Sequence, residues 1–261
     1  MSIRRGFVRT SFGHIHFLSA GAGEPLILLH QSPQSSEMFR PIVPLLAGER
    51  RVIALDTLGY GASAPPAGEA SIPLYADAVN DALATLGLER VAVHGYHTGA
   101  AIAIDLAARY PSRVRALILG GIPYFDEAER ARRLEALRAG RFGLPPVAAD
   151  GSHLQTLFSL YLKREGDPAE ATQWVIERLE LGERAIAGFA AAFTYDMRAT
   201  LPAVRCPTLV LIGRDDEIYP NTLAARALLG PHRFVETEGG RRFRDTVDQW
   251  AREMLDFLRT A

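Results

Sequence analysis

The chain predicts an α/β architecture: a mostly parallel, eight-stranded sheet with helices on both faces. Three observations carry this. Eight short apolar runs recur with turn residues between them, FVRT, HIHFLSA, PLILLH, RVIALD, RVAVHG, RVRALILGG, CPTLVLIG and HRFVET. From PLILLH onward they alternate with helical patterns, the signature of strands joined by crossover helices. Val91 to Ala108, VAVHGYHTGAAIAIDLAA, reads as an apolar strand, a glycine-flanked turn and an alanine-rich helix.

Each element has a local reason. The first two runs flank a turn at Ser11 to Gly13 and predict an antiparallel hairpin at the sheet edge. Tyr75, Val79, Leu83 and Leu86 share one helical face, as do Val247, Trp250, Met254 and Phe257 near the end. Between Gly121 and about Arg205 the strand pattern stops, and Leu154, Leu157, Phe158 and Tyr161 fall at helical spacing. Asp126 ahead of EAERARRLEAL, and Asp167-Pro168 ahead of Glu170, are helix starts: a carboxylate caps free amides, and proline fits the first turn. Pro145 and Pro146 mark a loop between helices. The expected division is a core of residues 1–121 and 206–261 and a helical cap of residues 122–205.

Bulk properties exclude several function classes. The 261 residues carry 29 basic and 30 acidic side chains, a formal net charge of -1, so no charge excess draws a polyanion or an anionic membrane. A membrane span would need about 18 consecutive apolar residues, and none is present. The N-terminal stretch lacks the apolar run of a secretory signal, giving a cytoplasmic expectation. Cys206 precedes an apolar strand and reads as a packing residue. A small molecule is the expected partner, with neither nucleic acid nor membrane, and a homodimer is compatible with the chain.

Further along, PLILLHQSP, DTLGYGAS and LVLIGRDDEIYP, with a closing WAREMLDFL helix, accompany the strand-turn-helix at 91–108. In this order they resemble the α/β-hydrolase superfamily, in particular its cap-bearing branch of dehalogenases, epoxide hydrolases, C–C hydrolases and small esterases. The resemblance covers nearly the whole chain and implies an α/β-hydrolase fold with a nucleophile elbow, an acid and a base.

The elbow departs from that pattern. Where G-x-S-x-G calls for a nucleophile, the chain reads Gly95-Tyr96-His97-Thr98-Gly99. The resemblance places the acid at Asp216, with Asp215 the nearest competitor, and the base in a late stretch that here reads Gly239-Gly240-Arg241. No histidine follows His232. A guanidinium stays protonated at ordinary pH, so Arg241 cannot accept a proton, although it can pair with Asp216 or hold a substrate carboxylate. A serine acyl-enzyme is therefore not expected at this site.

An imidazole titrates near neutrality, so His97 is a candidate general base or, second, a nucleophile; the alternative is a packed relic. By resemblance the amides of Ser32 and Thr98 are the oxyanion donors. His30, Gln31 and Tyr96 are candidate substrate contacts. Gln31 replaces a glycine of the pattern and either projects into the pocket or covers the turn. His30 and His94 also read as structural, hydrogen-bonded histidines, and no ligand spacing calls for a metal or other cofactor. Aromatic residues including Phe142, Phe158, Tyr161, Trp174, Phe189 and Phe193 either line a cavity or pack the cap. The functional expectation is an enzyme acting on an ester, lactone or β-dicarbonyl. Its alternatives are a catalytically silent binding protein, a lyase or isomerase, and a cofactor-free oxygenase.

Overall fold

A computed structural model describes residues 2–239 and 246–261. Strands β1 (Arg4–Thr10) and β2 (Gly13–Ala20) form the edge hairpin, followed by β3 (Pro25–Leu29), helix α1 (Val43–Leu46), β4 (Arg51–Leu55) and α2 (Ile72–Thr85). Then come β5 (Val91–Tyr96), α3 (Thr98–Arg109), β6 (Val114–Gly120), and the helices α4 (Glu127–Arg138), α5 (Ser152–Glu165), α6 (Pro168–Leu181) and α7 (Ala187–Thr194). The chain closes with β7 (Thr208–Gly213), α8 (Tyr219–Arg226), β8 (Arg233–Thr237) and α9 (Val247–Thr260).

The described strands form one sheet in the order β1-β2-β4-β3-β5-β6-β7-β8. β2 pairs antiparallel with β1 and with β4, and every later pairing is parallel. Strand order turns back at β3, whose neighbours are β4 on one side and β5 on the other. In such sheets the crevice beyond the carboxyl ends at this switch point is where ligands bind.

Alternation along the strands fills two cores. Ile27, Leu29, Val91, Val93, Leu117 and Leu119 face α2 and α3, whereas Leu26, Leu28, Val52, Ala92, Leu209 and Leu211 face α1 and α9. Trp250 and Met254 of α9 are fully buried on the second face.

Helices α4 to α7 all fall between β6 and β7. Asp126 accepts a hydrogen bond from the Glu129 amide at 2.7 Å and Asp167 one from the Glu170 amide at 2.8 Å, the two helix starts expected from sequence. The residues at helical spacing, Leu154, Leu157, Phe158 and Tyr161, fall in α5, where Leu157 and Tyr161 are buried and Leu154 is exposed. Leu154 lies in the first turn of α5, ahead of the residues that pack on the second core. Tyr60 ties the helical segment to the sheet, donating to the Ala185 carbonyl at 3.2 Å and accepting from the Gly188 amide at 2.6 Å.

Candidate active site

The turn between β5 and α3 holds His97 at φ 49° and ψ -112°, the one positive-φ non-glycine among the described residues. Two backbone bonds pin it. His97 N–H donates to the Gly120 carbonyl at 2.8 Å, prolonging the β5–β6 ladder, and its own carbonyl accepts from Ala100 N–H at 2.8 Å, opening α3. Gly95 and Gly99 make the turn this tight: a Cβ on Gly95 would strike the Gly99 carbonyl, and one on Gly99 the Leu29 carbonyl.

From that apex the imidazole reaches Asp216, in the loop after β7. His97 Nε2 lies 2.9 Å from Asp216 Oδ2 and 3.1 Å from Oδ1. Tyr96 supports both partners, donating its hydroxyl to Asp216 Oδ2 at 3.0 Å and stacking on the imidazole at 4.4 Å between centroids and 19° between planes. Trp250 packs edge-on against Tyr96 at 5.6 Å. Space for the ring comes from Gly121, where a Cβ would collide with His97 Cδ2 and Nε2. Among the described residues His97 Nδ1 makes no hydrogen bond, and the side chain is 12% exposed.

Asp216 is buried, which pushes its carboxyl up. The charge and hydrogen bond of His97, the Ile218 amide at 2.9 Å and the Tyr96 hydroxyl outweigh that and hold it below the usual carboxylate range. Burial and the adjacent Asp216 charge drive the Tyr96 phenol well above its ordinary range, so it remains a donor. Asp215, the competing acid, is exposed and stands on the cavity wall without reaching His97.

Two cavities share His97, Gln31, Arg164 and Glu217 as walls. The larger, about 490 Å³, is lined by Tyr96, Trp174 and several charged side chains, Lys163, Glu165, Glu170, Asp215 and Asp216 among them. The smaller, about 310 Å³, is lined by Ser32, Thr98, Arg133, Phe125, Phe142, Phe189 and Phe193. Ser32 N–H points at Thr98 Oγ1 across a long 3.4 Å, and Thr98 N–H belongs to the first helical residue, whose amide a helix leaves unpaired. Gln31 lines both cavities and donates to Gln34 Oε1 at 2.7 Å.

His30 does not contact the cavities, correcting its place among substrate contacts. It is 1% exposed, its Nδ1 donates to the Gln31 carbonyl at 2.8 Å, and its Nε2 accepts from the Thr57 amide at 2.9 Å, so both ring nitrogens are committed to the turn. Burial lowers its pKa and keeps it neutral. His94 is likewise structural: burial brings it to about 4, and it packs between Phe39 and Trp250. Arg241 lies outside the described residues. Among the described residues no group of three or more His, Cys, Asp or Glu is placed to hold a metal ion, and no helix is long and apolar enough to cross a membrane.

Sequence reasoning found His97 and Asp216 but not the Tyr96–Asp216 bond, the Gly121 clearance or Arg133. The only signal was the pair Gly120-Gly121 ending the β6 run.

Residues 24–242 match the family described as the alpha/beta hydrolase fold, and the chain belongs to it. A haloalkane dehalogenase 2 of Mycobacterium tuberculosis is 26% identical over 265 residues, spanning 95% of this chain and 92% of that protein. An (E)-2-((N-methylformamido)methylene)succinate hydrolase of Acinetobacter baylyi is 26% identical over 229 residues, 83% of this chain and 81% of its own. Among solved structures, the enol-lactonase of Burkholderia xenovorans superposes with a TM-score of 0.81 at 19% identity, covering 97% of this chain and 99% of that one. At that identity the likeness concerns the fold.

Proposed function

We propose that this chain is an enzyme acting on a small carbonyl compound, an ester, lactone or β-dicarbonyl, with His97 as general base and without a serine acyl-enzyme. The contact between His97 Nε2 and the Asp216 carboxylate carries the reading. A carboxylate only accepts, so Nε2 bears the hydrogen and Nδ1 keeps a lone pair. The imidazole spans in one side chain the distance from elbow to acid, and Asp216 orients it and stabilises the imidazolium that forms.

In hydrolysis Nδ1 takes a proton from water as its oxygen bonds to the carbonyl carbon, and the C=O electron pair moves onto oxygen. The amides of Ser32 and Thr98 receive that charge; a full oxyanion is a stronger acceptor than the neutral hydroxyl Ser32 N–H faces at 3.4 Å. Collapse of the adduct breaks the bond to the leaving oxygen, which recovers the proton from Nδ1. Arg241 enters on sequence grounds, as a cation for Asp216 or for a substrate carboxylate. The hydrolase names of the relatives support the choice of reaction class.

The test is an ester and lactone panel, p-nitrophenyl acetate and δ-valerolactone included, on wild type and His97→Ala. General-base catalysis is worth about 100- to 10,000-fold, so a loss of that size in kcat is expected. Turnover unchanged in His97→Ala, or absent across the panel in wild type, overturns the reading, the second outcome in favour of a silent binding protein.

A further inference from the structure

The smaller cavity is an aromatic box with two arginines, Arg133 and Arg164, in its wall. Phe142 meets Phe189 and Phe193 in tilted contacts at 5.1 and 5.5 Å between centroids, and Phe125 meets Phe193 edge-on at 5.7 Å. The Arg133 guanidinium lies 4.0 Å from the Phe125 centroid and 5.5 Å from that of Phe193. Its position is set from behind. Nε and Nη2 donate to Glu129 Oε1 at 3.0 and 2.8 Å, and Glu129 is itself held through Oε2 by Asn221 Nδ2 at 2.8 Å. That leaves Nη1, which among the described residues has no acceptor, on a side chain that lines the same cavity as His97, Ser32 and Thr98.

Nothing in the reaction proposed above uses this arrangement. A guanidinium needed only for solubility would extend into water, with its rotamers free. This one is clamped by an ion pair and two rings, so the entropy of ordering it is already spent before a ligand arrives. Of the charged residues lining the cavity, Arg133 and Arg164 are cationic and Glu217 anionic. Four aromatic rings beside a guanidinium held in place by Glu129 suit a flat, largely apolar ligand carrying an anionic oxygen group.

We infer that the 310 Å³ chamber is a subsite for a planar, unsaturated or aromatic carboxylate, whose ring stacks among Phe125, Phe189 and Phe193 and whose carboxylate is bound by Arg133 Nη1. This deepens the carbonyl-compound reading by naming a substrate class, and rests on it only for the statement that the ligand is turned over. The binding step itself needs no chemistry at His97.

Binding is therefore the readout, by calorimetry at pH 7.5 with phenylacetate and its neutral isostere phenylacetamide. In wild type the carboxylate is expected to bind at least tenfold more tightly than the amide. In Arg133→Gln, with its thermal midpoint measured alongside, the ratio is expected to fall to about one, while His97→Ala keeps it. Equal affinity for the two probes in wild type, no binding of either at millimolar concentration, or a preference that survives Arg133→Gln overturns the inference. If Arg133→Gln does not fold, side-chain NMR of wild type decides instead: phenylacetate must shift the Arg133 Nη and Phe193 resonances, and unshifted signals at saturation refute the site. Loss of turnover in His97→Ala with the preference intact separates this subsite from the base; turnover intact with the preference intact refutes only the base.

Discussion

His97 stands at φ 49° and ψ -112°, a region where a side chain costs of order 1–3 kcal/mol, and the surrounding bonds to Gly120 and Ala100 keep it there. Strain retained at an apex whose side chain reaches a buried carboxylate is an observation that points to use. His97→Gly is expected to melt above His97→Ala, by about 1 kcal/mol after the unfolded-state entropy of glycine is subtracted. Thermal denaturation of the pair measures it. Tyr96→Phe keeps the stack on the imidazole but removes a donor from Asp216, so the carboxyl rises from its depressed position. The acidic limb of the pH profile is expected to move upward, with a fall in kcat of about tenfold or less. His97 and Asp216 were legible because each sits in a local motif. The Tyr96–Asp216 bond joins positions 120 residues apart and no spacing rule encodes it.

The elbow works as an element because β5 and β6 end side by side and α3 starts against the end of β3. Gly95 and Gly99 could be read from sequence as the tight turn. Gly121 could not, because its role is to leave room for the His97 side chain, which comes from the turn after a different strand. Gly121→Ala is expected to push the imidazole off Asp216 and cut turnover by a factor of 100 or more, comparable to deleting the ring. A crystal structure or the His97 ring shifts would show the displacement. The strands were legible from their alternation, and the capped starts of α4 and α6 from Asp126 and Asp167. Which face of α5 is buried was less so: spacing groups Leu154 with Leu157 and Tyr161, but Leu154, in the first turn, is exposed.

Across the whole molecule, the helices between β6 and β7 close over the loops at the strand ends, and one acidic group is caught beneath them. Glu177 of α6 is buried, and burial, with Asp56 and Glu37 nearby, pushes its carboxyl up to about 7. Its folded pKa is raised above the unfolded value of about 4.3. That contribution to stability is therefore complete below about pH 4 and lost as pH rises through 7. Glu177→Gln is expected to gain about 2 kcal/mol over wild type between pH 5 and 8, read from urea denaturation at both pH values. Asp56 and Asp216, both held below their ordinary range, act oppositely: their contribution is present above pH 4 and lost in stronger acid. Of the aromatic box, Phe142, Phe189 and Phe193 stood out in the sequence as lining a cavity or packing the cap, whereas Phe125 did not. Phe189 and Phe193 lie one turn apart on α7, but Phe125 and Phe142, on either side of α4, join them only after the helices pack.

The measurement that bears most directly on the central claim is the nitrogen spectrum of the His97 ring at pH 7.5, in wild type and in Asp216→Asn. A base oriented by a carboxylate is expected to show hydrogen on Nε2 and a bare lone pair on Nδ1, with that preference weakened in Asp216→Asn. Hydrogen on Nδ1 in wild type, or a spectrum indifferent to Asp216, would contradict it.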